Sequence, residues 1–260
     1  MKDISTELNP NSPFRGLGGT LQITDDGSHT LFVSEIDECY HSTKGAIQES
    51  RHIFIEAGLK QCEKSEINVL EVGFGTGLNA LLTAHITLPP NPLKGEIEVQ
   101  KVNYSSIELY PIPLEQVLNL NYPETLEKQR NVPPGVFRSL FEKIHTSRWN
   151  EKVKITENFT LTKLKADFTK IELDEKFDVI YFDAFSPEKQ PEMWSEKMFR
   201  KLYLCASENA IMTTYCAKGA VRRAMKEAGF TVERLPGPPG KREILRARAP
   251  FPPIGGSFKS

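Results

Sequence analysis

Two rhythms of apolar residues alternate along this chain. Short, almost continuous apolar runs at 67–72 (INVLEV), 177–182 (FDVIYF) and 210–214 (AIMTT) read as strands buried on both faces. Stretches at 46–59, 78–86, 194–207 and 219–228 carry the wider spacing of helices, two of them stopped near Gly58 and Gly229. Residues 99–108 predict a further strand, 153–155 with 160–165 a β pair, and 230–234 and 243–247 the last strands. Near the start, residues 19–24 and 29–34 flank Asp25-Asp26-Gly27-Ser28, the signature of a hairpin around a DG turn. Strands that alternate with helices predict an α/β fold with a mostly parallel sheet, whose ligands bind at the carboxyl ends of the strands. The expected organisation is a small hairpin-and-helix appendage over 1–60, a main domain over 61–250 with an insert at 109–150, and a flexible tail over 251–260.

Composition narrows the class. A chain of 260 residues, 39% hydrophobic and 26% charged, can bury a full core without disulfides. No apolar run approaches the roughly 20 residues of a membrane span, and the N-terminus lacks the basic start and apolar run of a signal peptide. A cytoplasmic protein is expected. Cys39, Cys62, Cys205 and Cys216 form no CxxC pair, so reduced thiols are expected rather than a zinc or redox motif, and no histidine cluster suggests a metal. The net charge of −1 announces no nucleic-acid partner, but its distribution is uneven: from Lys218 to Arg248 nine Lys/Arg face three Glu, a local balance of +6.

Candidate chemistry lies at the predicted strand ends. Glu71-Val72-Gly73-Phe74-Gly75-Thr76-Gly77-Leu78-Asn79 places glycines at alternate positions directly after a strand, where tight turns and close backbone approach are needed. A dinucleotide loop, G-x-G-x-x-G, would want its third glycine at position 78, which is Leu78. The shorter turn with an acid two residues before it is similar to the S-adenosylmethionine (SAM) loop of class I methyltransferases. That resemblance implies a cofactor held by Glu71, Gly73, Phe74, Gly75, Thr76, Gly77 and Asn79, with Glu71 or its neighbours beside its amino-acid end. Glu108 ends the next strand, where a carboxylate can accept both ribose hydroxyls. Asp167 follows the next, a position that in such folds caps the adenine amino group. Asp183 ends FDVIYF, and Asp183-Ala184-Phe185-Ser186-Pro187 resembles the Asp/Asn-Pro-Pro-aromatic element of amino-group methyltransferases.

Longer motifs make the resemblance specific. YHSTKGAIQESRHIFI, EVGFGTGLNALL, DAFSPEKQPEMW, TTYCAKGAVRRAMKEAGFTVER and PGPPGKREILRA, spread from about Phe14 to Ala247, resemble the methyltransferase of the bacterial 5-methylaminomethyl-2-thiouridine tRNA-modification family (MnmC-type). Gly often stands in that family where this chain has Ala184, and Ala where it has Ser186; both changes are small. The resemblance implies a class I SAM-dependent fold with a seven-stranded sheet, and methylation of the exocyclic aminomethyl nitrogen of 5-aminomethyl-2-thiouridine at the tRNA wobble position. The best-known bacterial members of the family carry a second, flavin-dependent oxidase domain, and others occur as stand-alone methyltransferases, the form this sequence resembles. No second glycine-rich βαβ unit occurs in this sequence, so SAM without FAD or metal is expected, and a separate oxidase or aminomethyl-forming enzyme would act upstream.

Within that reading Asp183 is the expected catalytic residue and also borders the cofactor with Phe185, while Tyr40 and His52 close the pocket from the N-terminal side. Lys218, Arg222, Arg223, Lys241 and Arg242 are expected to meet tRNA phosphates, and Trp194 to wall the pocket or stack on the base. Residues 1–45 and the insert are further candidates for substrate recognition. Two other classes stay open: a SAM-fold transferase acting on a small-molecule amine, which would want an acidic enclosed pocket, and a non-catalytic RNA-binding module.

Overall fold

The computed structural model describes residues 19–88, 100–130 and 133–250. The loose start before Pro13, the first residue of the strand expected at 99–108, and the tail at 251–260 lie outside the described residues.

A central sheet is built from β4 (Glu66–Val72), β5 (Lys101–Glu108), β6 (Lys152–Lys154), β7 (Phe159–Lys165), β8 (Phe177–Phe182), β9 (Ala206–Thr214), β10 (Thr231–Pro236) and β11 (Glu243–Arg248). Their order is β10-β11-β9-β8-β4-β5-β7-β6. The five strands from β9 to β7 run parallel, and β11 is antiparallel to both of its neighbours. Beyond the seven strands of the expected class I fold, short β6 adds antiparallel to the outer edge of β7, the β pair expected from 153–155 with 160–165. The apolar runs found in the sequence are the strands in the middle: β8 is buried at all six positions.

Helices cover both faces, so alternate residues of each strand enter different cores. Ile67 and Val69 of β4 pack with α2 (Leu78–Ile86) and with helices of the insert, α3 (Leu114–Leu118), α4 (Tyr122–Arg130) and α5 (Val136–Thr146). Leu70 and Val72 face the other core, formed with α6 (Glu196–Cys205) and α7 (Gly219–Glu227). A separate three-stranded sheet near the N-terminus joins β1 (Thr20–Ile23), β2 (His29–Val33) and β3 (Glu38–Cys39). The hairpin around Asp25–Ser28 forms as expected, and β3 is an addition to it. Leu31 of β2, with Ala46 and Ile47, packs into the same core as β4 and α2.

Three elements depart from their predicted form. The helix expected over 46–59 is α1 (Ala46–Ser50) followed by a π-helical turn over Arg51–Glu56, then a short 3₁₀ turn from Leu59. The wider ring shows in Ala57 N–H donating to His52 O at 3.1 Å. The helix expected from residue 194 starts at Glu196, after a 3₁₀ turn at Pro191–Trp194. β9 begins at Ala206, earlier than the apolar run suggests. A register shift against Phe177–Val179 and the positive φ of Asn209 (60°) mark a bulge that lets Ser207-Glu208-Asn209 join a strand despite their polarity.

Candidate active site

The ends of β4, β5, β7 and β8 open onto one cavity of about 750 Å³. Gly73 and Asp183 form its floor, where three strand ends touch: Asp183 N–H donates to Val72 O at 3.0 Å, and Gly73 N–H to Ile107 O at 3.0 Å. Gly73 has φ +97°, and a Cβ there would lie 2.5 Å from the Asp183 carbonyl oxygen. Gly75 has φ +48° and lies against the Tyr40 ring, 3.0 Å from where its Cβ would stand. These glycines answer both a left-handed backbone and a lack of space.

The Asp183–Pro187 turn is held from several sides. Tyr215 Oη donates to Ala184 O at 2.9 Å, and Trp194 Nε1 donates to Phe185 O at 2.7 Å. Gln190 Oε1 accepts from Phe185 N–H at 3.1 Å. The Glu38 carboxylate accepts from Ser186 N–H at 3.1 Å and from Ser186 Oγ at 2.8 Å, tying the turn to β3. Asp183 Oδ2 accepts from Asn79 Nδ2 at 2.8 Å. Burial pushes the Asp183 carboxyl up to about 7; Asn79 pulls it down, Glu49 pushes it further up, and Lys241 opposes that.

Around the rest of the wall stand groups suited to a cation, a diol and a flat ring. Glu108 is half-buried; it accepts from Gly75 N–H at 3.1 Å and Tyr110 N–H at 2.9 Å. Burial raises its carboxyl despite those two bonds. Glu49 Oε2 accepts from Ser42 N–H at 2.8 Å, whereas its buried Oε1 takes no hydrogen bond and is ion-paired with Lys241 Nζ at 3.3 Å. Val72 and Ile107 give the wall an apolar stretch. These carboxylate acceptors beside an apolar stretch fit SAM, which carries an ammonium, a ribose diol and an adenine, and the space over Gly73 and Gly75 would be filled by any side chain.

The family described as S-adenosyl-L-methionine-dependent methyltransferase matches residues 136–250. MNMC2 from Aquifex aeolicus, a crystal structure 26% identical in sequence, superposes with a TM-score of 0.67 over 95% of this chain and 74% of that one. The chain belongs to the S-adenosyl-L-methionine-dependent methyltransferases. Its fold is the class I fold of that family. It is 31% identical over 241 residues to the tRNA 5-methylaminomethyl-2-thiouridine biosynthesis bifunctional protein MnmC of Azoarcus sp. (strain BH72), a match covering 88% of this chain and 35% of that protein. The MnmC protein of Ralstonia nicotianae is 31% identical over 89% of this chain and 34% of its own length. The methyltransferase chain thus spans about a third of the curated relatives it matches.

Most of the residues singled out in the sequence meet at this cavity: Tyr40, Gly73, Phe74, Gly75, Thr76, Asn79, Glu108, Asp167, Asp183 and Phe185 all line it. Asp167 does so while capping its own turn. Burial works against ionisation there, but Thr169 and Lys170 outweigh it and hold the carboxyl below its usual range. Gly77 lies behind the loop, where a Cβ would meet His145 Nε2 at 2.5 Å. Three candidates stand elsewhere. Glu71 is fully buried on the opposite face of β4 from Val72. His52, on the π turn, donates from Nε2 to Pro236 O at 2.8 Å, away from the cavity. Trp194 packs among Phe182, Phe199 and Tyr215, supporting the Asp183 turn from inside the core rather than facing a base.

The structure also brings in residues not named as candidates, two of them, His41 and Glu49, within the YHSTKGAIQESRHIFI motif. His41 Nε2 and Thr76 Oγ1 are hydrogen-bonded at 2.7 Å, and Tyr122 Oη donates to the same Thr76 hydroxyl at 3.3 Å. His145 Nε2 donates to Thr76 O at 3.2 Å. Burial pushes His41 down to about 4 and, helped by the nearby Lys163 charge, His145 down to about 3, so both rings are neutral at pH 7. The glycine loop is therefore braced by the N-terminal segment and by the insert. Glu49 had a signal: it falls with Ala46 and Ile53 on the apolar stripe of its helix, where an acid is out of place.

The basic C-terminal segment divides. On α7, Val221 and Met225 are buried as the helical spacing predicts, while Arg223 and Lys226 are exposed. Arg222 is half-buried, and Lys218 is ion-paired with Glu188 at the surface. Arg242 is exposed, whereas Lys241 lies in the cavity wall with Nζ 4.8 Å from the Tyr215 ring centre. Among the described residues no group of three or more His, Cys, Asp and Glu is placed to hold a metal ion, and no helix is long and apolar enough to cross a membrane. The four cysteines are free thiols.

Proposed function

We propose that this methyltransferase transfers the methyl group of SAM to the aminomethyl nitrogen of 5-aminomethyl-2-thiouridine at the tRNA wobble position, giving 5-methylaminomethyl-2-thiouridine. The observation that carries the reading is Asp183, held at the cavity floor in a turn fixed by Tyr215, Trp194, Gln190 and Glu38. Support for the substrate comes from the MnmC relatives, whose names state that product.

SAM supplies an electrophilic methyl group on a sulfonium centre. Glu108 would hold its ribose hydroxyls, Asp167 its adenine amino group, and Glu49 with the Gly73–Gly77 backbone its amino-acid end. Tyr40 and Phe185, packed edge to face with ring centres 5.1 Å apart, would close the cavity over it. The substrate nitrogen resembles a lysine amine, with a free pKa of about 10, and must lose a proton before it can attack. The Asp183 carboxylate accepts a hydrogen bond from that nitrogen and points its lone pair at the methyl group. Burial keeps water from competing for either partner. In a cytoplasmic setting, an oxidase or another aminomethyl-forming enzyme would provide the amine.

Two outcomes check the proposal. With methyl-labelled SAM and tRNA lacking the final methyl group, digestion should place the label in 5-methylaminomethyl-2-thiouridine; label in another nucleoside, or none in tRNA, rejects the substrate. Affinity for tRNA should fall linearly on a log–log plot against salt. Replacing Arg223 and Lys226 by alanine should flatten the slope by roughly 1 per residue that meets a phosphate. An unchanged slope removes α7 from the tRNA surface.

A further inference from the structure

Beneath the cavity, on the other face of the sheet, lies an enclosed polar cluster. Glu71 is its centre, with no exposed surface. The strand register puts Ser106 of β5 on one side of Glu71 and Tyr181 of β8 on the other. Ser106 Oγ donates to Glu71 Oε2 at 2.6 Å. Asn79, in the first turn of α2, connects this cluster to the cavity: its Nδ2 donates to Asp183 Oδ2 at 2.8 Å, and its amide also acts on the Glu71 carboxyl. Two buried acceptors here have no donor, Glu71 Oε1 and Asn79 Oδ1, and the Tyr104 hydroxyl that faces the carboxyl has no partner; it can serve Glu71 but leaves Asn79 Oδ1 unserved. No cation is among the leading influences on Glu71. An ionised Glu71 would therefore be a buried charge without a countercharge, stabilised by the Ser106 hydroxyl and, after it, by Asn79 and Tyr104, a costly arrangement. One proton on Oε1 supplies both acceptors at once.

We propose that Glu71 is held as the neutral acid and donates from Oε1 to Asn79 Oδ1, fixing the Asn79 amide with its N–H toward Asp183. The role rests on the reading of Asp183 as the group that receives the substrate amine. Glu71 is a positioning residue, acting through Asn79 and touching neither substrate nor cofactor. The titration directions agree with the geometry. Burial pushes Glu71 up to about 8 and the Asp183 charge pushes it further up, while Ser106, Asn79 and Tyr104 pull it down without cancelling the burial. Tyr104 and Tyr181 face the same carboxyl, and burial raises both phenols far above pH 7, so both stay neutral. Asp183 in turn faces Glu49 and Lys241. Were the amide reversed, Asn79 Oδ1 would face Asp183, which would then need the proton. The two carboxyls thus share one proton across one amide.

The test uses the full chain with carboxyl-labelled glutamate, followed by ¹³C NMR. The Glu71 signal, identified by its loss in Glu71→Gln, should titrate with a midpoint above pH 7 in the protein without substrate. A midpoint near the ordinary value of about 4.3 overturns the inference. Kinetics supply the second readout. Glu71→Ala should lose at least about tenfold in kcat with little change in the KM for SAM, the cost of a broken buried hydrogen bond. The conservative Glu71→Gln, whose amide can donate to Asn79 and accept from Ser106, should recover most of that loss. Asn79→Ala should match Glu71→Ala, and the double variant should add nothing further. Glutamine as damaging as alanine, or additive losses, overturns the role. If no variant methylates tRNA while Glu71 still titrates high, the substrate reading has failed and the neutral acid stands.

Discussion

Asp183→Ala should lower kcat for tRNA methylation by about 10³-fold and leave SAM affinity within a few-fold. The magnitude follows from losing both a positioned proton acceptor and the alignment of nitrogen with methyl, each worth orders of magnitude in rate. Affinity should survive because, in the proposed reading, the loop with Glu108 and Asp167, on other strands, would hold most of the cofactor. Isothermal titration and single-turnover kinetics separate the two quantities; full turnover by the variant would remove Asp183 from the mechanism. The pH profile carries the same information. Burial lifts this carboxyl to about 7, so the accepting anion forms as the pH rises through 7 and the wild-type rate should climb there. Asp183→Asn should lose that limb. The sign for stability is opposite: a raised carboxyl favours the fold below its unfolded pKa of about 3.9, and that contribution is lost as the pH rises to about 7. Asp183→Asn should therefore gain in Tm relative to wild type at pH 8 but not at pH 4.

Gly73→Ala is expected to damage cofactor binding and stability together. The residue sits at φ +97°, and its new Cβ would stand 2.5 Å from Asp183 O and 3.2 Å from Asp183 C. Both obstacles are backbone, so no rotamer change relieves them. Strain of about 1–3 kcal/mol corresponds to a Tm drop of roughly 2–12 °C in a chain of this size. SAM affinity should fall at least about tenfold, because the loop and the Asp183 turn are pushed apart at the cavity floor. Gly135→Ala is the control: its φ is +90°, but nothing lies within 4 Å of the added Cβ. It should lower Tm by the strain alone and leave SAM binding intact. Wild-type SAM affinity in Gly73→Ala would mean that the loop does not hold the cofactor.

What the chain declares without its fold is local. Apolar runs such as FDVIYF mark strands buried on both faces, and the alternate glycines after β4 mark a turn with no side chain at every other position; both depend on neighbours in sequence. The parallel order of the central strands follows from that alternation, since a helix must return the chain to the same end of the sheet. That is why Glu108, Asp167 and Asp183, each read at a strand end, meet around one cavity. The tertiary structure alone decided which face each strand residue serves. Val72 and Glu71 are adjacent, and alternation sends them to opposite sides, but only the packing of α2 puts Glu71 in a closed polar cluster and Val72 in the cavity wall. Bracing of the loop was equally invisible, because His41, Tyr122 and His145 reach Thr76 across 35, 46 and 69 residues of chain. Trp194 and His52 make the same point from the other side: an aromatic near the catalytic motif became core, and a histidine in a family motif bonded a distant carbonyl. Spacing along a strand or helix is set by backbone geometry within a few residues, whereas contact across the fold is set by how whole faces pack, which no local pattern encodes.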